Sequence, residues 1–315
     1  MYSSPKISII IPVYNRYELL SYTLNSVLAQ IFTDWECILV DDHSTDNSFQ
    51  LLQEYQNKDV RFKVFKRPLY LKKGANACRN YGFLQARGIY IKWFDSDDIM
   101  LPNHLDIAYK GMLSGNYDFI FTDSVNFEHK TEVLLNAPFE FNKEGIVFSP
   151  ENMAFQKIGW ITNDFLGKKD LLKNLKFNEN ITDGDEYNFF IRFFHHTQKG
   201  FFLDEVVTHR RIHDNSISII NRHNNFDTII CNIKFQTAND LQQYNNKKLI
   251  RWFLSGYMRY AFQIANQKQK VPYRKDSFLL ICRYFSVIKG CFFLCALFTG
   301  FYFKKGYGLM KMART

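Results

Sequence analysis

Apolar and polar positions divide the chain into alternating strand-like and helix-like segments. Lys6 to Ile11 is a short β-branched run ended by Pro12, the pattern of a strand buried on both faces. Tyr17 to Gln30 carries apolar residues at helical spacing, with Leu20, Leu24, Val27 and Leu28 on one face. Trp35 to Val40 is a second apolar run and stops on Asp41-Asp42. Ser44-Thr45-Asp46 then supplies a helix start for Phe49 to Tyr55. Val60 to Phe65 predicts a third strand and Gly74 to Ala86 a third helix, with Gly88 as a break before a strand from Tyr90 to Phe94. Leu101 to about Ser114 reads as a helix that Pro102 begins, and Asp118 to Thr122 as a strand. Residues 124–148 read as further strands and loops, and Ser149-Pro150-Glu151 as another helix start. This alternation with short connections predicts an α/β fold: a Rossmann-like, mostly parallel sheet with helices on both faces.

Polar residues collect where the predicted strands stop. The first strand ends in Pro12-Val13-Tyr14-Asn15-Arg16, the second in Asp41-Asp42-His43-Ser44 and the fourth in Asp95-Ser96-Asp97-Asp98. The carboxyl edge of an open α/β sheet is where such folds bind ligands. Asp95, Asp97 and Asp98 put three carboxylates within four positions, and their mutual repulsion is costly unless a cation relieves it. Mn2+ or Mg2+, which prefer oxygen ligands and keep positions open for phosphates, suit that chemistry. The simpler alternative is a solvated acidic turn ahead of a helix.

Four stretches together resemble a known family. They are Ser8 to Asn15, Val40 to Asp46, Ala77-Cys78-Arg79-Asn80 with Gly82, and Phe94 to Asp98. In sequence and spacing, residues 6–115 resemble the nucleotide-sugar half of a family 2 glycosyltransferase of the GT-A fold, an inverting class. The resemblance implies a nucleoside-diphosphate-sugar donor whose base is surrounded by Pro12, Tyr14 and Asp42, with Asp42 suited to a uracil N–H. It implies Asn15 and Ser96 beside the nucleotide, Asp95 at the ribose or a metal-bound water, and Asp97 as the direct metal ligand. Arg16 and Arg79 are candidates for phosphate or for local ion pairs, and Asp98 is expected to cap the following helix. Further on, Asp164 to Lys169 resembles an acceptor-side strand, and Trp160 ahead of it is a candidate for stacking on a sugar of the acceptor, with a core role as the alternative. Thr208 to Ser218 resembles the loop that closes the catalytic domain, so Arg211 or His213 is expected near the pyrophosphate or metal.

The general base is expected at the start of the helix that follows Thr182-Asp183-Gly184. Acids there are also favoured by the helix dipole alone. The family order is Glu-Asp with the Asp six residues before an Arg; here the pair is Asp185-Glu186, and six residues before Arg192 stands Glu186. Glu186 is therefore the expected base and Asp185 its orienting neighbour or an acceptor contact. The reversed order is the one feature that favours a catalytically silent carbohydrate-binding or scaffold protein. Nucleotidyl transfer, a third reading, needs a Gly-rich basic loop after the first strand, and Pro12-Val13-Tyr14-Asn15 is not one.

Charge changes the picture at the end of the chain. From Arg222 onward there are 16 Lys and Arg against 3 Asp and Glu, while the residues before it hold 24 against 28. Aromatic and aliphatic residues are interleaved with those cations in predicted helices over 226–243 and 247–267 and in the apolar stretch 283–303. No nucleic-acid motif accompanies them, so an anionic membrane surface is the expected partner, with packing on the catalytic domain or a homodimer through these helices as the alternative. The apolar run Gly290 to Phe303 is 14 residues, short of the roughly 20 that span a bilayer. The organisation expected is a nucleotide-sugar half over 1–115, an acceptor half over 116–221 and a helical extension over 222–315. The six cysteines fall in apolar segments without metal spacing, and the first residues lack a signal-peptide pattern. The expected location is cytoplasmic, peripheral on the inner membrane face, next to a glycan or lipid-linked acceptor.

Overall fold

The computed structural model describes residues 4–213, 216 and 225–314. The chain forms two compact units, Met1–Glu179 with Phe189–His213, and Asn180–Asn188 with Asp214–Thr315. In the first unit the described strands are β1 (Ile7–Val13), β2 (Trp35–Asp41), β3 (Phe62–Lys66), β4 (Tyr90–Trp93), β5 (Ile99–Met100), β6 (Phe119–Glu128), β7 (Phe165–Lys168) and β8 (Gly200–Ile212). They make one sheet in the order β3-β2-β1-β4-β7-β6-β8-β5. β1 to β4 are mutually parallel, and β7 runs against both β4 and β6. β8 is parallel to β6, so β4, β6 and β8 point the same way and end on the same edge.

The continuous apolar runs of β1 and β2 follow from helices on both faces. Ile7, Ile9, Ile11, Cys37 and Leu39 pack with Leu20 and Leu24 of α1 (Tyr17–Leu28) and Leu52 of α2 (Ser48–Lys58). The alternate side chains Ile10, Ile38 and Val40 face α3 (Ala75–Gln85). Gly82 is what lets α3 sit there, since a Cβ on it would lie 2.6 Å from Ile10 Cγ2. Pro12 falls where β4 has already left β1, the last pair being Ile10 with Trp93, so its missing N–H breaks no ladder bond with β4. α4 (His104–Leu113), α5 (Pro150–Ala154) and α6 (Lys169–Leu172) complete this unit with part of α7 (Asp185–Phe193).

Part of the aromatic content lies in one cluster in which Phe119, Phe165, Phe190 and Phe193 pack with Phe121 and Phe148, and these two meet Trp160. Trp160 is 1 % exposed and stacks on Phe121 with ring centroids 4.3 Å apart. The expected sugar-stacking role is therefore replaced by the core role: its ring faces are taken by protein, not open to an acceptor.

The second unit is helical, with α8 (Phe226–Asp240), α9 (Lys247–Asn266), α10 (Arg274–Tyr284), α11 (Val287–Phe303) and α12 (Tyr307–Arg314). Segment Asn180–Asn188 joins it through Asn188, whose amide donates to Thr237 Oγ1 and Asp240 Oδ2 at 3.1 and 3.0 Å. Strands from both expected halves, 1–115 and 116–221, thus share one sheet, while 180–188 fall in the second unit, and the expected boundary at 221/222 lies outside the described residues. Among the described residues no helix is long and apolar enough to cross a membrane.

Candidate active site

The parallel strands deliver the expected residues to one edge, where the loops after β1 and β2 are buttoned together. Asn15 adopts a left-handed φ of 47° and His43 one of 59°. Asn15 N–H donates to Ser44 Oγ at 3.0 Å, Thr45 N–H donates to Asn15 Oδ1 at 2.8 Å, and Arg16 N–H donates to Ser48 Oγ at 2.8 Å. Asn15 is thus a loop clamp. Tyr14 beside it is 40 % exposed, and the Lys73 ammonium sits 3.9 Å over its ring. A cation over an aromatic face is worth about 0.5–1 kcal/mol at an exposed site and holds the phenol ring in place.

Asp42, expected to meet a uracil, is buried in a second layer of contacts. Its Oδ1 accepts from Arg67 Nε and its Oδ2 from Gly74 N–H at 2.9 Å. Each oxygen keeps one further lone-pair direction. Arg67 also donates to Pro68 O at 3.0 Å and Leu71 O at 2.5 Å, and His43 Nε2 meets its carbonyl at 2.7 Å. One buried guanidinium therefore shapes the whole 67–74 loop. Sequence reasoning missed both Arg67 and Lys73. The signal was available for Arg67, which follows β3 at the one strand end left out of the earlier count.

The acidic turn after β4 resolves into three different carboxylates. Asp97 Oδ2 lies 3.2 Å from Arg16 Nε and 3.1 Å from His213 Nε2. Burial pushes the Asp97 carboxyl up, but the His213 hydrogen bond and the Arg16 charge outweigh it and hold the group below its ordinary range. Asp95 Oδ1 accepts from Arg79 at 2.8 Å, and its backbone N–H donates to Asn163 Oδ1 at 2.9 Å. Arg79 is buried and also bonded to Asn76 Oδ1 at 3.0 Å. Its pairing is the local one of the two roles considered. Ser96, between Asp95 and Asp97 in sequence, is buried.

Asp98 is not the helix cap that was expected. It is buried, with Oδ1 accepting from Arg211 N–H at 2.7 Å and Oδ2 from Asn163 Nδ2 at 2.5 Å. Burial, then the charges of Asp97 and Asp95, push its carboxyl well up. It stitches the turn to the 3-10 helix Thr162–Asp164 and to the end of β8. Arg211 is equally committed: Nε donates to Asp97 O at 2.8 Å and its guanidinium lies 4.6 Å over Phe127. Of the two residues expected near the pyrophosphate or metal, His213 is the one whose side chain meets Asp97. The rest of the closing stretch up to Ser218 lies largely outside the described residues.

Under the turn lies Lys92, fully buried in β4, whose ammonium donates to the carbonyls of Asn163 and of Phe165, the latter at 3.3 Å. Burial lowers its pKa, opposed by the neighbouring Asp164, whose own carboxyl burial raises. Asn163 and Lys92 stood in the stretches read from the sequence without being given a role. A lysine inside an otherwise apolar strand was the available signal.

For an ion, the residues offer Asp97 and His213 converging, with Asp95 two positions away. Among the described residues no three His, Cys, Asp or Glu side chains form a cage. That donor set fits Mn2+ or Mg2+ taking its remaining ligands from phosphates and water, as such ions do at phosphate-transfer sites. Asp185 and Glu186 stand half-buried in the first turn of α7, in the second unit.

The sequence profile described as glycosyl transferase family 2 matches residues 8–194, more than half of the chain. A Campylobacter jejuni protein named GalNAc(5)-diNAcBac-PP-undecaprenol beta-1,3-glucosyltransferase is 30 % identical over 214 residues, 66 % of this chain and 65 % of that protein. Over the first curated relatives the chain spans between about half and two-thirds of their length. The crystal structure of S. aureus TarS 1-349 in complex with UDP has a TM-score of 0.64 at 19 % identity, covering 94 % of this chain and 89 % of that one. The mannosyltransferase PcManGT from Pyrobaculum calidifontis, in complex with GDP-Man and Mn2+, has a TM-score of 0.56 at 12 % identity, covering 96 % and 89 %. Both show a shared fold.

Proposed function

The chain belongs to glycosyl transferase family 2, and from that premise we propose that it moves a sugar from a uridine-diphosphate donor to a lipid-linked glycan in surface polysaccharide synthesis. One observation carries the reading: Asp97 and His213, from opposite ends of the catalytic sequence, converge within 3.1 Å at the edge that also presents Tyr14 and Lys73. The undecaprenol-linked substrate in the name of the Campylobacter relative supports the acceptor class. The UDP bound by TarS supports the uridine donor.

In this proposal the base stacks on Tyr14 beside Pro12, and Asp42 accepts the ring N–H through a remaining lone pair. Asp95 meets the ribose, with Asn15 and Ser96 beside the nucleotide. A bound Mn2+ or Mg2+, held by Asp97 and His213 with Asp95 near, would neutralise the leaving diphosphate. Arg16, already at Asp97, adds a fixed positive charge for the same group. Glu186 takes the proton from the acceptor hydroxyl as that oxygen attacks the anomeric carbon, and the bond to the diphosphate oxygen breaks in the same displacement, with inversion. Asp185 orients the base. Because such an acceptor resides in a bilayer, the protein works as a peripheral membrane protein at the cytoplasmic face.

The deciding experiment incubates the full chain with a panel of UDP-, GDP- and CMP-sugars, Mn2+, and an undecaprenyl-diphosphate-linked glycan, and follows nucleotide release. Release of UDP that depends on both a UDP-sugar and the lipid-linked glycan is expected. Turnover restricted to GDP- or CMP-sugars would overturn the uridine reading. Binding of a donor without any turnover would favour the silent scaffold that the Asp185-Glu186 order suggested. Arg67→Lys tests the missed residue: losing the forked guanidinium should weaken UDP binding at least about tenfold, the scale of one charge-assisted hydrogen bond, with the circular dichroism spectrum unchanged. Unaltered UDP affinity in calorimetry would show that the 67–74 loop does not shape the base site.

A further inference from the structure

Within the helical unit, α11 is seated by one face and apolar on the other. Gly290, Phe293, Ala296, Leu297 and Gly300 are buried. Phe293 packs on Tyr257 of α9 with centroids 6.0 Å apart, and a Cβ on Gly300 would lie 2.9 Å from Phe262. A Cβ on Gly290 would lie 2.9 Å from Phe278 of α10. The inward face is thus filled by close helix–helix contact. The outward face carries Val287, Ile288, Cys291, Leu294, Cys295, Phe298 and Tyr302, all exposed. At 3.6 residues per turn these fall on one stripe about 25 Å long, and none of them is charged.

Cations outnumber acids in the sequence around this stripe. Arg274, Lys275, Arg283, Lys289, Lys304, Lys305, Lys311 and Arg314 face a single acid, Asp276, from residue 272 to the end of the chain. At the amino end of α11, Asn245, Lys247, Arg251, Arg283 and Tyr284 line an open cavity of about 380 Å³. Arg251 Nε is bonded to Tyr284 O at 2.6 Å and Arg283 to Gln242 Oε1 at 3.2 Å, which holds both side chains in place and leaves further N–H donors on each.

We propose that α11 and this cavity form a docking surface for an anionic bilayer, with the stripe lying in the plane of the headgroup boundary and the Lys247–Arg251–Arg283 cavity holding a lipid phosphate. Charge complementarity selects this occupant. A second copy docking through the same stripe would bring two cation-rich segments together, each with one acid from residue 272 onward. A water-facing role leaves seven apolar side chains hydrated along a single helix face. An anionic leaflet meets both demands at once, because cations gain near its surface and aromatic residues such as Phe298 and Tyr302 suit the boundary. The inference draws on the proposed acceptor only for where a bilayer is met, and its test involves no sugar transfer, so either can fail without the other.

The test floats the full chain with phosphatidylcholine vesicles, with and without phosphatidylglycerol, at low and near-physiological salt. Flotation that needs phosphatidylglycerol and falls with salt is expected. The variant I288E/F298E, at two exposed positions, should partition at least about tenfold less, and K247Q/R283Q should lose the preference for phosphatidylglycerol. A fluorophore on the two native exposed thiols, Cys291 and Cys295, should be quenched by nitroxide lipids in the unsubstituted chain, a readout independent of how the variants fold. Excess inorganic phosphate should leave the quenching intact while reducing the phosphatidylglycerol preference. No flotation with anionic vesicles at low salt, or no quenching at the labelled thiols, would overturn the proposal. So would a concentration-dependent dimer that I288E/F298E abolishes in the absence of lipid binding.

Discussion

Asp97→Asn is expected to abolish metal-dependent donor binding and to lower turnover by about a thousandfold or more, with the protein still folded. The substitution keeps the side chain's size but removes the one charge on which Arg16 and His213 converge. Fold stability is spared because the turn is fastened elsewhere: Asp98 holds Arg211 N–H and Asn163, and Arg211 holds the Asp97 carbonyl, which Asn retains. What is lost is charge stabilisation of the leaving diphosphate, a contribution of several kcal/mol and hence several powers of ten in rate. Calorimetric titration of UDP with Mn2+ and with a chelator is the measurement. Equal affinity in the two conditions for the unsubstituted protein would remove the metal from the reading, and full activity in the variant would remove Asp97.

Glu186→Gln should reduce turnover at least about a hundredfold with little change in donor affinity. A general base contributes about 10²–10⁴-fold and acts only as the acceptor hydroxyl gives up its proton, so the effect belongs in kcat rather than in binding. Asp185→Asn should have the smaller effect. Both carboxylates stand in the first turn of α7, where the helix dipole favours negative charge, so the dipole alone does not rank them. If Asp185→Asn costs more, the register counted back from Arg192 is wrong by one residue and the preceding carboxylate is the base.

The parts of the fold legible in the sequence are those where one local pattern decides. The apolar runs of β1 and β2 and the polar strand ends follow from residues close together in the chain. The apolar stretch 283–303, taken as one segment from the sequence, is broken: Ser286 accepts from Lys289 N–H at 3.2 Å and starts α11 anew after α10. Other features were fixed by partners far along the chain. Asn163 reaches Asp95 and Asp98 from 68 and 65 residues away, and Asp98 meets Arg211 across 113. No local pattern distinguishes such an Asp from a helix cap. Trp160 shows the converse limit, since a core tryptophan and a sugar platform have the same sequence signature and only the surrounding rings tell them apart.

The contacts among Lys92, Asn163 and Asp98 also bear on how such proteins are recombined. Lys92 is satisfied by two main-chain carbonyls, which any sequence in the 163–165 segment would offer if its backbone followed the same path. Asn163 is different, because its side chain both accepts from Asp95 N–H and donates to Asp98. A hybrid joined between β5 and β6, with the nucleotide end from this chain and the acceptor end from a relative, would keep the buried lysine content but leave Asp98 without its amide unless the incoming segment carries an Asn there. Exchange of acceptor preference between relatives is therefore best sought by moving segments on either side of 160–165 and leaving that short segment with its native turn.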